Sequence, residues 1–189
     1  MPHSQTTQLG KIVNVMKQRS PTSILDVGVG MGVYGFLARI FVNLEDLFYI
    51  DGEHSRYKTM DERSIRIDGI EGFARYLNPV HDFIYNRMMT GNALAILPTI
   101  ADKSYDMVLA IDILEHFTRE DGLTFLAELK RVARKSVLVS TPKEFVEQHI
   151  ELNHFEDHLS LWSQQDLMDA GFSRQHDNLI SWIAEHLVR

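Results

Sequence analysis

Residues 24–35, Ile-Leu-Asp-Val-Gly-Val-Gly-Met-Gly-Val-Tyr-Gly, constrain the fold more than any other stretch of the chain. An apolar strand ends in a carboxylate, Asp26, and turns at once through closely spaced glycines into a helix. Residues without a Cβ let the backbone approach a ligand and adopt positive φ, and the first turn of the helix offers N–H groups to it. Such a turn serves two ligand classes. Gly30 to Gly35 satisfies the dinucleotide spacing G-x-G-x-x-G, a weak match when taken alone. Against it stands Asp26, an acid where a dinucleotide fold places another apolar residue, and a carboxylate in that position needs a partner. A glycine turn that merely joins strand to helix is the bland alternative.

The pattern Leu25-Asp26-Val27-Gly28-Val29-Gly30-Met31-Gly32 closely resembles motif I of the class I S-adenosylmethionine (SAM) methyltransferases. The resemblance implies that Asp26 and the loop residues Val27, Gly28, Gly30 and Gly32 hold the methionine end of SAM, which carries an ammonium group. It extends to the order of elements from about Leu9 onward and implies a mainly parallel seven-stranded sheet with an antiparallel last strand.

A chain of 189 residues fits a single domain, 1–189, and is short for a nucleotide domain plus a separate substrate domain. That weighs against a two-domain dehydrogenase. The net charge of -7 disfavours a nucleic-acid partner. The basic cluster Lys130, Arg131, Arg134 and Lys135 falls at a helix C-terminus, where cations complement the dipole, so a solvated helix end explains it. Cysteine is absent, which excludes a disulfide framework, a thiolate metal site and a cysteine nucleophile. Residues 1–10 are polar, without the apolar centre of a signal peptide, and no later run is long and apolar enough to span a bilayer. A cytoplasmic location is expected, and oligomeric state is left open.

Hydrophobic periodicity places a helix over residues 9–17, a strand over 24–27 and a helix over 33–41. Nearly continuous apolar runs at 105–111 and 136–140 read as parallel strands buried on both faces. Between them, residues 119–134 carry Leu123, Phe125, Leu126, Leu129, Val132 and Ala133 on one helical stripe. Residues 164–170 read as a short helix with Ser163 as N-cap and Gly171 ending it, followed by two closing strands within 172–188. Alternation of strand and helix predicts an α/β fold, a three-layer Rossmann-like sandwich.

A second strand should end in an acid that accepts hydrogen bonds from ribose hydroxyls. Asp51, after Leu47 to Ile50, and Glu71, after Ile65 to Ile70, compete for this role. Gly91-Asn92-Ala93 resembles the family's motif III, which implies that Asn92 and Ala93 lie near the adenine. Its distance from Glu71 is about one helix plus one short strand, which favours Glu71. Residues 44–62 then form an insertion near the active-site rim.

Residues 106–117 resemble motif IV and its following turn in small-molecule methyltransferases, which implies that Asp112, Glu115 and His116 face the transferred methyl group. His116 is the leading general base, since an imidazole near neutrality can take a proton from a hydroxyl, phenol or amine, with a rim or packing histidine as the alternative. The Asn-Pro-Pro-Tyr segment of the amino-methylating DNA enzymes is missing after Ile111. In the histidine-rich stretch 143–162, an expected lid, Asn153, His158 and Trp162 resemble residues that close over the acceptor in ubiquinone-type and related O-methyltransferases. That resemblance implies contacts to substrate, although Trp162 reads more readily as a packing anchor than as a stacking platform. Imidazoles and carboxylates together could suit zinc or a harder divalent ion, but no recognised ligand motif occurs there, so a solvated loop or substrate contact is expected in place of a metal site. The sequence thus predicts a SAM-dependent methyltransferase acting at oxygen or nitrogen of a small molecule. A SAM-binding subunit without transferase activity and a dinucleotide oxidoreductase are the alternatives.

Overall fold

A computed structural model of the chain describes residues 6–188. Residues 1–5 of the polar N-terminal stretch lie outside the described residues. Helix α1 (Leu9–Arg19) precedes β1 (Ser23–Val27), and α2 (Val33–Phe41) follows the glycine turn. A hairpin of β2 (Phe48–Asp51) and β3 (His54–Tyr57) leads to β4 (Arg66–Glu71), α3 (Pro79–Ile84), β5 (Arg87–Thr90) and α4 (Ala93–Ile96). Then come β6 (Tyr105–Ile111), α5 (Arg119–Val132), β7 (Ala133–Pro142), α6 (Gln164–Asp169), β8 (Arg174–His176) and β9 (Ser181–Leu187).

Seven strands form one sheet in the order β5-β4-β1-β6-β7-β9-β8. The first five in that order are mutually parallel, while β9 is antiparallel to both β7 and β8. A doubly wound dinucleotide sheet has no antiparallel strand inserted beside its fifth strand. The topology therefore separates the two ligand classes that the glycine turn alone leaves open, and the expected fold class is met.

Strands buried on both faces explain the apolar runs. All seven residues of β6 are buried, and it pairs in parallel with β1 and β7, with a register shift against β7 between Tyr105 and Met107. One core cluster joins β1, β6 and β7 to α5, with Phe125, Leu129, Trp162 and Phe172 at its centre. The other covers the opposite face with Ile12, Met16, Tyr34, Ala38 and Ile84. Arg39 is buried on that side, its guanidinium donating to the carbonyls of Ile65 (2.5 Å) and Ile84 (3.1 Å) and to Asn86 Oδ1 (3.0 Å). A buried cation thus ties α2 to β4 and α3 through fixed acceptors.

Three expectations change. The stripe on α5 does not include Leu123, which is 53 % exposed; Gly122 takes the inward position instead. A Cβ on Gly122 would come within 2.4 Å of the Trp162 ring, so the indole lies flush against bare helix backbone. Ala133 begins β7 rather than ending the helix. The basic cluster is no freely solvated end: Arg131 bonds Glu128, Asp102 and the carbonyls of Leu97 and Ile100, and Lys130 bonds the Ala170 carbonyl. Arg134 and Lys135 both reach Asp106, whose side chain is 1 % exposed and also accepts from Thr22 N–H and Oγ1. Within 44–62, β2 and β3 pair only with each other, so Asp51 stands on an exposed hairpin. Buried Asp46 anchors that segment by accepting from Ser64 N, Ser64 Oγ and Ile65 N.

Two buried acids should give opposite pH signatures. Asp106 is held far below the ordinary carboxylate range: burial alone would raise it, but the Thr22 N–H and the Lys135 and Arg134 cations outweigh that. Its contribution is fully present above about pH 4 and is lost as pH falls below that value. Asp106→Asn should cost about 2 kcal/mol near neutrality and flatten the acid limb of urea-midpoint measurements. Asp26 is pushed up by burial to about 6 from an ordinary 3.8. Native protein then holds a proton that the unfolded chain has released, so stability falls as pH rises from about 4 to 6. That decline should vanish in folded Asp26→Asn.

Candidate active site

The C-terminal ends of β1, β4 and β6 converge on two adjoining cavities, as expected for ligand sites in open α/β sheets. The smaller, about 100 Å³, is lined by Glu71, Tyr76, Asn92, Ala93, Asn153 and Phe155. The larger, about 640 Å³, is lined by Met31, Glu115, Lys143, Val146, His158 and Leu179. Gly28, Gly30, Asp112, His116 and Glu156 border both. A ligand in one cavity would therefore meet a ligand in the other at the ends of β1 and β6.

The glycine turn is held from behind. Gly28, Gly30 and Gly32 all have positive φ (77°, 51° and 83°), which lets the chain reverse direction between β1 and α2. Asp26 is 2 % exposed and lines neither cavity. Its Oδ2 accepts from the Tyr85 hydroxyl at 2.7 Å, and the Gly35 N–H also faces it. A Cβ on Gly35 would lie 2.4 Å from the Tyr85 oxygen, so glycine there admits the phenol. In this structure the Asp26 carboxylate braces the turn through these two donors. Val27 and Gly32 likewise border neither cavity. His81 completes the brace, with Nε2 3.0 Å from the Gly30 carbonyl.

Glu71 ends β4 beside the turn. Its Oε2 accepts from Gly30 N–H (2.8 Å) and its Oε1 from Phe73 N–H (2.9 Å), which fixes the carboxylate at the cavity wall with lone pairs to spare. Burial raises its pKa and these two N–H groups oppose the rise. Asp51, the competing acid, is on the exposed hairpin and outside both cavities. Asn92 caps α4 by accepting from Leu94 N–H, which sets Asn92 and Ala93 at the far wall. Tyr76, Phe155 and Glu156 were not legible as site residues. The Tyr76 hydroxyl donates to Glu156 and accepts from Asn153 Nδ2 (3.1 Å), and the Phe155 ring lies over Gly72. Asn153 therefore belongs to the smaller cavity, away from the acceptor side assigned to it from sequence.

Asp112, after β6, has φ of +52° and accepts from Ser140 Oγ (2.7 Å) and Gln8 Nε2 (2.5 Å). Gln8, just before α1, is buried and had no signal in the sequence. Glu115 and His116 lie on a single 3-10 turn, Leu114–His116. The Glu115 carbonyl accepts from Leu159 and Ser160 N–H, which anchors the 143–162 loop to this turn. The Glu115 side chain is 4 % exposed; burial first, then the Asp112 charge, push its pKa up to about 8. His116 Nδ1 is 3.2 Å from the Asp157 carbonyl, and burial lowers the pKa of its ring. His158 has crossed the larger cavity to lie with its ring centroid 5.0 Å from that of His116. Trp162 does not contact this space. It is fully buried, donates to Ser160 Oγ (2.8 Å) and carries Arg119 over its ring, so in this structure it is a core anchor for the loop.

The arrangement matches known proteins. A family description of the methyltransferase domain matches residues 25–140, more than half of the chain. No curated protein matches the sequence. Among solved structures, a protein of Pyrococcus horikoshii OT3 is 14 % identical with a TM-score of 0.64, covering 97 % of this chain and 88 % of that one. A SAM-dependent methyltransferase from Aquifex aeolicus is 18 % identical, with a TM-score of 0.57 and coverage of 96 % and 94 %. Magnesium protoporphyrin IX methyltransferase from Synechocystis PCC 6803, solved with bound S-adenosylhomocysteine, is 15 % identical, with a TM-score of 0.60 and coverage of 96 % and 82 %. At these identities the solved structures establish the shared fold, and the match over residues 25–140 establishes the family. Among the described residues no helix is long and apolar enough to cross a membrane. The chain belongs to the methyltransferase domain family and is a class I SAM-dependent methyltransferase.

Proposed function

We propose that this enzyme transfers the methyl group of SAM to an oxygen or nitrogen of a small-molecule acceptor held in the larger cavity. The observation that carries the proposal is the shared border: two cavities meet at Gly28, Asp112 and His116, so donor and acceptor can be presented to one another across strand ends β1 and β6. The residues present fit the cofactor. Glu71 offers fixed carboxylate lone pairs to a ribose diol, Asn92 and Ala93 border the same cavity where an adenine could lie, and Gly28 and Gly30 allow close approach of the methionine end. SAM supplies an electrophilic methyl carbon on sulfonium. What the protein contributes is alignment and exclusion of water, which can account for most of the acceleration of an in-line displacement.

On the acceptor side, His116 has one committed and one available nitrogen. A carbonyl oxygen only accepts, so Nδ1 carries the proton toward Asp157 and Nε2 keeps a lone pair that can take a proton from an acceptor hydroxyl or amine. The 143–162 loop, fastened to the Glu115 carbonyl, forms the lid over that acceptor. Apolar Met31, Val146 and Leu179 at the walls favour an acceptor with an apolar body.

Isothermal titration should give micromolar binding of SAM and S-adenosylhomocysteine and none of NAD; binding of NAD alone would overturn the proposal. Glu71→Ala should weaken SAM by about 30-fold, equivalent to about 2 kcal/mol for the lost charge-assisted bonds, while Asp51→Ala should leave affinity unchanged. The reverse pattern would move the ribose site to the hairpin. Once an acceptor is found by methyl-transfer screening, His116→Ala should lower turnover roughly 100-fold with SAM affinity within about twofold of wild type.

A further inference from the structure

Chain topology brings His158, some forty residues downstream, back across the larger cavity to the turn after β6. Glu115, His116 and His158 each offer one ligand atom, and these atoms all lie within 4.8 Å of one another. All three residues line the same cavity. The two imidazoles share one tautomer. His116 Nδ1 is 3.2 Å from the Asp157 carbonyl and His158 Nδ1 is 2.5 Å from the Val146 carbonyl, so each Nδ1 is the protonated nitrogen and each Nε2 carries a free lone pair. Backbone carbonyls holding Nδ1–H in this way are the outer-shell arrangement that orients metal-binding histidines. Glu115 is the third group: its side chain is 4 % exposed, and Oε2 has no hydrogen-bond partner among the described residues. The Thr141 hydroxyl faces this carboxylate without meeting hydrogen-bond geometry, so a buried oxygen is left poorly satisfied, and a cation would supply a firmer partner.

We propose that Glu115, His116 and His158 bind a divalent first-row transition-metal ion. Two imidazoles and one carboxylate suit such an ion better than Mg²⁺ or Ca²⁺, which prefer oxygen ligands throughout, and three protein ligands leave coordination positions open. A second cluster, His149, His154 and Asp157, is a different case. There the exposed imidazoles already donate Nδ1–H to the Asp157 carboxylate (3.0 and 3.1 Å), which also accepts from Ile150 N–H. Its oxygens are satisfied without an ion.

The role of the metal rests on the methyl-transfer reading above; its binding does not. An acceptor hydroxyl at an open position would have its pKa lowered by the ion. Its proton leaves to solvent, the oxygen lone pair forms the bond to the methyl carbon, and the carbon–sulfur bond breaks with its electrons passing to sulfur, giving S-adenosylhomocysteine. His116 is then a ligand, and the methylated atom is oxygen.

The test is titration of chelator-treated protein with Mn²⁺, following the free-ion signal by electron paramagnetic resonance, with SAM affinity measured in parallel by calorimetry. One equivalent of Mn²⁺ should bind; His158→Ala and Glu115→Gln should each weaken it by at least about 10-fold, while His149→Ala/His154→Ala should not. His158→Ala, altered at a partly exposed side chain, guards against loss of folding in the Glu115 variant. Absence of Mn²⁺ binding in protein that still binds SAM would overturn the metal site alone. Mn²⁺ lost only in the His149/His154 variant would overturn it as well, by moving the ion to the outer loop. Mn²⁺ binding without SAM binding would support the site and overturn the methyl-transfer reading instead.

Discussion

A carboxylate that touches no ligand surface holds the whole site together. Asp26 sits under the glycine turn, receives the Tyr85 hydroxyl at 2.7 Å and faces the Gly35 N–H at the start of α2. Through Tyr85 the turn is fixed to the end of α3, and through His81 the Gly30 carbonyl is fixed to the same helix. Glu71 then takes the Gly30 N–H from the neighbouring strand. Three elements thus agree on the position of one loop, and the left-handed conformations of its glycines are held by partners on each side. Tyr85 and His81 fasten the turn from behind, while Glu71 holds it from the cavity wall with lone pairs to spare. At neutral pH, the burial that raises Asp26 to about 6 corresponds to about 3 kcal/mol of lost stability. That is a large fraction of what a domain of this size has to spare, and it is the expected signature of strain kept for function.

The acceptor side is built on the opposite principle. Its walls come from loops: the turn after β6, the 143–162 segment and the connection between β8 and β9. What keeps these loops in place is main-chain bonding to scaffold. The Glu115 carbonyl accepts two N–H groups from Leu159 and Ser160, and Trp162 is sunk into the core against Gly122 just beyond them. Ahead of those anchors, exposed side chains such as Phe145, Val146 and Leu152 can change without disturbing the sheet. A fold divided in this way keeps one cofactor and varies its acceptor, which is how a single architecture hosts many chemistries.

Local pattern carried most of the fold. Period and punctuation placed the strands at 24–27 and 105–111, the helix at 33–41, and the Ser163 cap with Gly171 after it, because in each case the deciding interactions lie within a few residues. Assignments failed where a distant partner decides. Nothing near Leu123 announces that Gly122 is the inward position; only Trp162, forty residues on, requires it. Nothing near Asp26 shows that Tyr85 will occupy it, and Gln8 reaches Asp112 across more than a hundred residues. The same limit explains the metal cluster. Spacing within one stretch of sequence does not reveal it, because Glu115 and His116 meet His158 only when the loop folds back over the cavity.

One consequence concerns how the two cavities communicate. Asp112 is the shared acid: it borders both spaces, is held by Ser140 and Gln8, and its charge is one of the causes that raise the neighbouring Glu115. A cation at Glu115 would relieve this like-charge opposition, and so would a cationic sulfonium on the other side. Either partner therefore makes this pair of carboxylates less costly, and each reduces the part left for the other to relieve. Where Asp112 and Glu115 are both ionised, donor and metal each screen the same repulsion, so their electrostatic gains overlap instead of adding. The geometry thus favours a site in which the two ligands bind independently or with mild mutual weakening, and in which closeness of approach at the seam, rather than cooperative assembly, brings acceptor and methyl group together.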